Sequence, residues 1–274
     1  MFKLLMTVIF LLMFLPLNVS AQSRNVEIDG DHGKLAAIVQ TPDGKSNFPM
    51  VIICHGFTAQ KEQPLLKYLA DDLEAAGIAS IRFDFNGHGK SEGRFQDMTV
   101  LNEIEDAKKV YEYVRDMRGV TSVSIAGHSQ GGVVTSMVAG ELGVENVKSI
   151  ALMAPAAVLR DDAIRGILQG NTYDSINVPE YIELNHRGKK ILGRDYVLTA
   201  QTLPIYETAA NFQGPVFIIH GTTDIVVPYT YSLRYQEIYP GSQLELLPGY
   251  DHGFSQNEKL VARKVADFFI SQLK

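Results

Sequence analysis

Short apolar runs alternate along this chain with longer stretches in which apolar side chains recur every third or fourth position. The short runs predict strands at 25–28, 35–41, 50–54, 79–83, 122–126, 149–153, 216–219 and 243–247. The longer stretches predict helices over 63–76, where Leu65, Leu66, Leu69 and Leu73 recur at helical spacing, and over 100–117, where Leu101, Ile104, Ala107, Val110, Tyr111 and Val114 do so. An apolar segment at 133–139 predicts a buried helix, and a shorter helix is expected at 205–211. The sequence SQNE at 255–258 has the form of a capping box for a final helix. The later strands are almost continuously apolar, as expected of a parallel sheet covered on both faces. No helix separates the first two, so they are expected to form an antiparallel hairpin at the sheet edge. The pattern predicts an α/β fold: a mostly parallel eight-stranded sheet with helices on both faces.

Two segments depart from this alternation. Residues 157–203 contain no strong strand and are mixed in polarity. A structureless loop of that length is improbable in a compact domain, so an inserted cap is expected there, over the carboxyl ends of the strands. At the N-terminus, Lys3 is followed by the apolar run 4–15, then Pro16 and the small-residue site VSA at 19–21. This has the form of a cleavable signal peptide over 1–21, which leaves 22–274 as one catalytic-size domain. The apolar run is shorter than the roughly 20 residues a spanning helix needs, and no cysteine lies nearby for a lipid anchor, so no stable membrane anchor is expected. The expected destination is periplasmic or extracellular.

Composition narrows the partners. The formal charge is −6, and removing Lys3 with the leader makes it −7. This mild acidity argues against nucleic acid, which requires a basic face. Cys54 is the only cysteine, so no intrachain disulfide can form; inside the strand 50–54 it is expected to be a small core residue. His32, His88 and His186 lack partners at metal-ligand spacing, so neither a metal nor a cofactor is expected. The composition leaves a homodimer open.

The candidate chemistry centres on GHSQGG at 127–132, between a predicted strand and a predicted helix. Gly127, Ser129 and Gly131 make G-x-S-x-G, in which the serine occupies a sharp turn and the glycines let the backbone pass closely. A glycine-rich turn with an incidental serine is the alternative, and the rest of the chain must decide. A serine hydroxyl needs a base, usually a histidine oriented by a carboxylate. Asp224 lies on the loop after the strand 216–219, and His252 on the loop after 243–247, in the chain order Ser, Asp, His. Asp251 adjoins His252 but is poorly placed to reach its neighbour's ring. Asp84 is expected to order a loop, His220 to support the Asp224 loop, and His128 to point away from the serine. The expected oxyanion donors are the backbone N–H groups of Gln130, after the nucleophile, and Phe57, in HGFT at 55–58.

With these residues in place, the chain resembles the α/β-hydrolase superfamily, and within it the bacterial cinnamoyl (feruloyl) esterases. The resemblance runs through ICHGFT (53–58), RFDFNGHG (82–89), LNEIEDA (101–107), GHSQGGVV (127–134), APAA (154–157) and LPIYE (203–207). It implies a secreted serine esterase that cuts the ester between a hydroxycinnamic acid and a plant-wall sugar through an acyl-enzyme. It also implies that Asp162, Gln169 and Tyr196 in the cap hold the phenolic hydroxyl. The cap departs from the family pattern around 171–194, so acyl preference is less firmly implied than chemistry. The alternative is a general carboxylesterase or lipase acting on aliphatic acyl esters. A catalytically inactive binding module is disfavoured because no member of the Ser-His-Asp set is missing.

Overall fold

The computed structural model describes residues 22–184 and 189–274; residues 1–21, where a signal peptide is expected, and His186 lie outside the described residues. Strands β1 (Gln22–Gly30) and β2 (Gly33–Thr41) form an antiparallel hairpin. Six further strands complete the main sheet: β3 (Phe48–Cys54), β4 (Ala79–Phe83), β5 (Val120–His128), β6 (Ile150–Met153), and, after an excursion, β11 (Val216–Gly221) and β12 (Gln243–Leu247). The order across the sheet is β1-β2-β4-β3-β5-β6-β11-β12. β2 meets β4 antiparallel, and every later pairing is parallel.

The apolar strands are explained by two separate cores. Along β3, Met50, Ile52 and Cys54 face one core and Val51 and Ile53 the other, the period of two that a strand imposes. On one face pack α2 (Val100–Arg115), α3 (Gln130–Leu142) and α6 (Ile205–Ala209); on the other, α1 (Pro64–Ala75) and α8 (Glu258–Leu273). Thr99 caps α2 reciprocally with Asn102. The expected capping box at 255–258 is not formed. Asn257 caps α8 by accepting from Leu260 N–H, while Ser255 turns back to Asp251. Ser255 is thus held by Asp251 in the preceding loop, and the helix cap falls two residues later, at Asn257.

Between β6 and β11 the chain runs through α4 (Val158–Arg165), the strand pair β7 (Ile167–Leu168) and β8 (Asn171–Thr172), the pair β9 (Tyr181–Leu184) and β10 (Lys190–Gly193), and α5 (Arg194–Thr202). None of these strands joins the main sheet. They are two to four residues long, too short to leave a periodic signal in sequence. Leu168, Leu184, Leu192 and Val197 tie the excursion into the main core. α7 (Thr230–Ile238) lies between β11 and β12.

Candidate active site

β5 runs to His128, so the chain passes from strand to α3 within Ser129 itself. Ser129 has φ 58° and ψ −124°, a left-handed conformation that costs a β-carbon-bearing residue about 1–3 kcal/mol. The flanking glycines make the turn possible. A β-carbon on Gly127 would lie 2.0 Å from the Gly131 carbonyl oxygen, and one on Gly131 2.4 Å from that of His55. Gly56 is equally constrained, since a β-carbon there would sit 2.8 Å from Ser129 Cβ. The loop after β3 can therefore lie directly against the serine. Among the described residues, the amides of Phe57 and Gln130 donate to no backbone or side-chain acceptor. Gln130 N–H also opens α3, where the helix dipole favours negative charge.

Three side chains from three loops meet at this turn. His252 Nε2 is 2.9 Å from Ser129 Oγ, and His252 Nδ1 is 2.7 Å from Asp224 Oδ2. A carboxylate only accepts, so the proton sits on Nδ1 and Nε2 is free to accept from the serine hydroxyl. Asp224 is itself held from four directions. Oδ1 accepts from the amides of Val226 and Val227, each at 2.8 Å. Oδ2 also accepts from His220 Nε2 at 3.0 Å, and His220 Nδ1 accepts from the Ser232 hydroxyl at 2.7 Å. Burial favours the neutral acid, but the hydrogen bonds from His220 and His252, with the imidazole's charge, hold Asp224 well below the usual carboxylate range.

The neighbouring acid and histidine take other roles. Asp251 accepts from Ser255 N–H and Oγ and has no bond to the imidazole. Asp84 accepts from the amides of Lys61 and Lys90 and pairs with the buried Lys61 ammonium, which orders the loops around it. His128 does not simply point away. Its Nε2 donates to the His252 carbonyl at 2.9 Å and its ring centroid lies 5.1 Å from that of His252, so it braces the histidine loop. Cys54 is fully buried, and burial pushes its thiol up to about 12.

The three expected cap contacts are placed unequally. Gln169 lines a cleft of about 210 Å³ together with Ser129, His252, Phe57 and Val226. Asp162 and Tyr196 do not line that cleft. Asp162 is half-buried, its carboxyl raised by that burial, and its side chain accepts no hydrogen bond among the described residues. Tyr196 is buried, and its hydroxyl donates to Gln130 Oε1 at 2.7 Å, so it is not a free donor for a ligand. Gln130 Nε2 in turn donates to Glu103 Oε2 at 2.8 Å. Burial raises the Glu103 carboxyl to about 8, so it stays largely protonated near neutrality. This Tyr196–Gln130–Glu103 chain joins α5 to α2 through the residue after the serine. Sequence reasoning did not single out Glu103, although its position one helical turn before Ala107 put a carboxyl on the apolar face of α2. A hollow of about 770 Å³ between α2 and the excursion includes none of Ser129, Asp224 and His252 among its lining residues.

Comparisons with known proteins agree with this architecture. The family model described as serine aminopeptidase, S33, matches residues 45–178. The structure of Est1E from Butyrivibrio proteoclasticus with ferulic acid bound is similar over 90% of this chain and 98% of its own, at 32% identity and a TM-score of 0.85. A monoacylglycerol lipase from Mycolicibacterium smegmatis is 24% identical over 86% of this chain and 92% of its own. Other curated relatives are matched over part of their length. Alignment with Esterase EstD of Thermotoga maritima, at 24% identity, covers 55% of that protein, and alignment with an uncharacterised 31.7 kDa protein of Escherichia coli covers 35%.

Proposed function

This chain belongs to the α/β-hydrolase superfamily, and from that premise we propose that it is an exported serine carboxylic-ester hydrolase, with Ser129 as nucleophile, His252 as base and Asp224 as its orienting acid. The observation that carries the reading is the Ser129–His252–Asp224 relay at 2.9 and 2.7 Å. His252 Nε2 takes the hydroxyl proton as Ser129 Oγ attacks the ester carbon. The oxyanion that develops is received by the Phe57 and Gln130 amides, which have no other acceptor among the described residues, and a preorganised donor of this kind is worth about 3–4 kcal/mol. The imidazolium returns its proton to the leaving alcohol, and Ser129 retains the acyl group. Water, deprotonated by His252, then releases the acid.

For the acyl group we favour a hydroxycinnamate. The likeness to Est1E with ferulic acid bound supports this, as does Gln169 in the serine cleft. The rival reading, an aliphatic-ester hydrolase, is favoured by one observation: Tyr196 already spends its hydroxyl proton on Gln130. Hydrolysis of ethyl ferulate against p-nitrophenyl butyrate separates the two. A higher kcat/KM on ethyl ferulate is expected, and a preference for the butyrate would move the assignment to the aliphatic class. A fluorophosphonate probe that failed to attach to Ser129 would remove the serine mechanism altogether.

A further inference from the structure

We infer that His220 is a positioning residue of the relay, and that its N–H, directed at Asp224 Oδ2, sets the pH at which His252 becomes a competent base. This rests on the serine-hydrolase reading above and adds a buried residue that regulates the pH response of the same site.

Two serine–histidine pairs converge on one carboxylate oxygen. Ser129 and His252 meet Asp224 Oδ2 from the cleft, and Ser232 and His220 meet it from inside the fold. His220 lies near the end of β11, in line with Val216 and Ile218, and Ser232 lies in the first turn of α7. Both are fully buried, so this second pair cannot meet a substrate and acts only through Asp224. Its proton positions follow from its partners. Nε2 faces two acceptors, Asp224 Oδ2 at 3.0 Å and the Val227 carbonyl at 2.9 Å, so it carries the hydrogen. Nδ1 then accepts from the Ser232 hydroxyl at 2.7 Å, and the ring is neutral.

A histidine that only braced the loop would need the Val227 carbonyl alone. The other arm of this N–H reaches the very oxygen that holds His252 Nδ1 at 2.7 Å. Burial favours the neutral acid, and among the bonds that hold the Asp224 carboxyl below the usual range the one from His220 is the largest. A donor on Oδ2 draws negative charge away from the imidazolium that forms on His252, so it lowers the basicity of that ring. As the imidazolium forms, the Val227 carbonyl keeps the His220 N–H satisfied, and Oδ2 can turn its lone pairs to His252. Two further titratable groups face the relay. The His128 ring centroid lies 5.1 Å from that of His252, and Asp251, the preceding residue, is bound to Ser255. Replacing His220 leaves both in place.

The test reads the acid limb of two pH profiles: kcat/KM on whichever ester is cut best, and the rate of fluorophosphonate labelling of Ser129. Both report the base of the free enzyme. His220→Phe keeps a ring and removes the N–H, whereas His220→Gln keeps an N–H near the Nε2 position. In His220→Phe the limb is expected to move up by about 0.5–1 pH, since Oδ2 then serves the imidazolium undivided. In His220→Gln it is expected to stay with the wild type. A lower plateau with an unmoved limb in His220→Phe, the outcome of a merely structural role, overturns the inference, as does an equal move in His220→Gln. Should His220→Phe fail to fold, the side-chain nitrogen-15 and proton resonances of the wild-type protein decide. His220 is expected as the neutral Nε2–H tautomer, with that resonance moving as His252 titrates; the other tautomer, or a resonance indifferent to His252, overturns the inference. Failure of the serine-hydrolase reading looks different: the wild-type protein cuts no ester and the probe does not label Ser129, which removes the inference with its premise.

Discussion

Among the described residues Ser129 Oγ has one side-chain hydrogen-bond partner, His252, so its removal should cost chemistry and not folding. Ser129→Ala is expected to lower turnover by roughly four to six orders of magnitude with unchanged circular dichroism. Residual activity above a few per cent in pure protein would sink the assignment. At Asp224 an amide replaces one oxygen by an NH2 donor, which must then face either the His220 and His252 ring N–H groups or the Val226 and Val227 amides, so Asp224→Asn misorients His252. A loss of up to about four orders is expected, against a change of a few-fold for Asp251→Asn, whose carboxylate serves Ser255. The reverse ranking in steady-state kinetics would reassign the acid. Tyr196 and Asp162 separate two roles that resemblance alone gave to both. Tyr196→Phe breaks the bond to Gln130, so a loss of about threefold to tenfold is expected on ethyl ferulate and p-nitrophenyl butyrate alike. Asp162→Ala should reduce ferulate hydrolysis roughly tenfold and spare the butyrate. A ferulate-specific loss in the tyrosine variant would restore Tyr196 as a ligand contact.

At the scale of the element, the decisive piece is the junction of β5 and α3. The alternation of apolar residues located it, but sequence reading ended the strand near Ala126 because Gly127 and His128 carry no strand signal. Pairing of Gly127 with Leu152 and His128 with Met153 of β6 extends it to the serine. The energetic consequence is testable by comparing a glycine in the first turn of α3 with the one just past its end. At Gly131 a β-carbon meets the His55 and Cys54 carbonyl oxygens at 2.4 and 2.5 Å, backbone that cannot yield without moving the oxyanion loop. At Gly143, just past the helix, φ is 73° but nothing lies within 4 Å. Gly143→Ala should cost about 1–3 kcal/mol, because φ 73° with ψ 169° is a backbone region open essentially to glycine alone, but activity should be retained. Gly131→Ala should cost about 1–3 kcal/mol from overpacking and most of the turnover. Urea midpoints with activity assays decide this, and equal effects at both positions would refute the steric account.

At the scale of the molecule, pH enters through buried groups. Glu103 is raised from 4.5 to about 8 chiefly by burial, opposed by the hydrogen bond from Gln130 and reinforced by the charge of Asp106. The fold favours its protonated form, so this contribution to stability is fully present below 4.5 and is lost as pH rises to about 8. Asp106, raised to about 6 by burial, acts with the same sign in a lower window. His55 and His88 are lowered by burial, and Asp224 is also depressed, so their effects fall at acid pH. Between about pH 6.5 and 8.5, Glu103 therefore dominates this set. The urea midpoint is expected to fall across that interval in the wild type and to stay level in Glu103→Gln, which keeps an acceptor for Gln130 without a titrating proton. A wild-type midpoint that rose instead would show that Glu103 is ionised in the fold.

The sequence alone determined the layered sheet, the order of its strands along the chain, and the Ser-Asp-His sequence of loops. Each is set by local periodicity, or by residue types that the chemistry of a strained serine turn demands. It left the spatial order of the strands, the short strands of the excursion and the start of α8 undecided, because these depend on partners distant in the chain. The same reason accounts for the contacts around the site. That His220 shares the Asp224 oxygen with His252, that His128 braces the histidine loop, and that Tyr196 serves Gln130 are all pairings between residues of separate elements or turns. HGTTD at 220–224 hinted at the first, since a histidine four residues before the acid shares its loop. Only the closed tertiary structure brings the other two together: the burial that favours bonding the Tyr196 hydroxyl to Gln130, and the packing of two loops that sets His128 against His252, exist only once the sheet and its excursion are assembled.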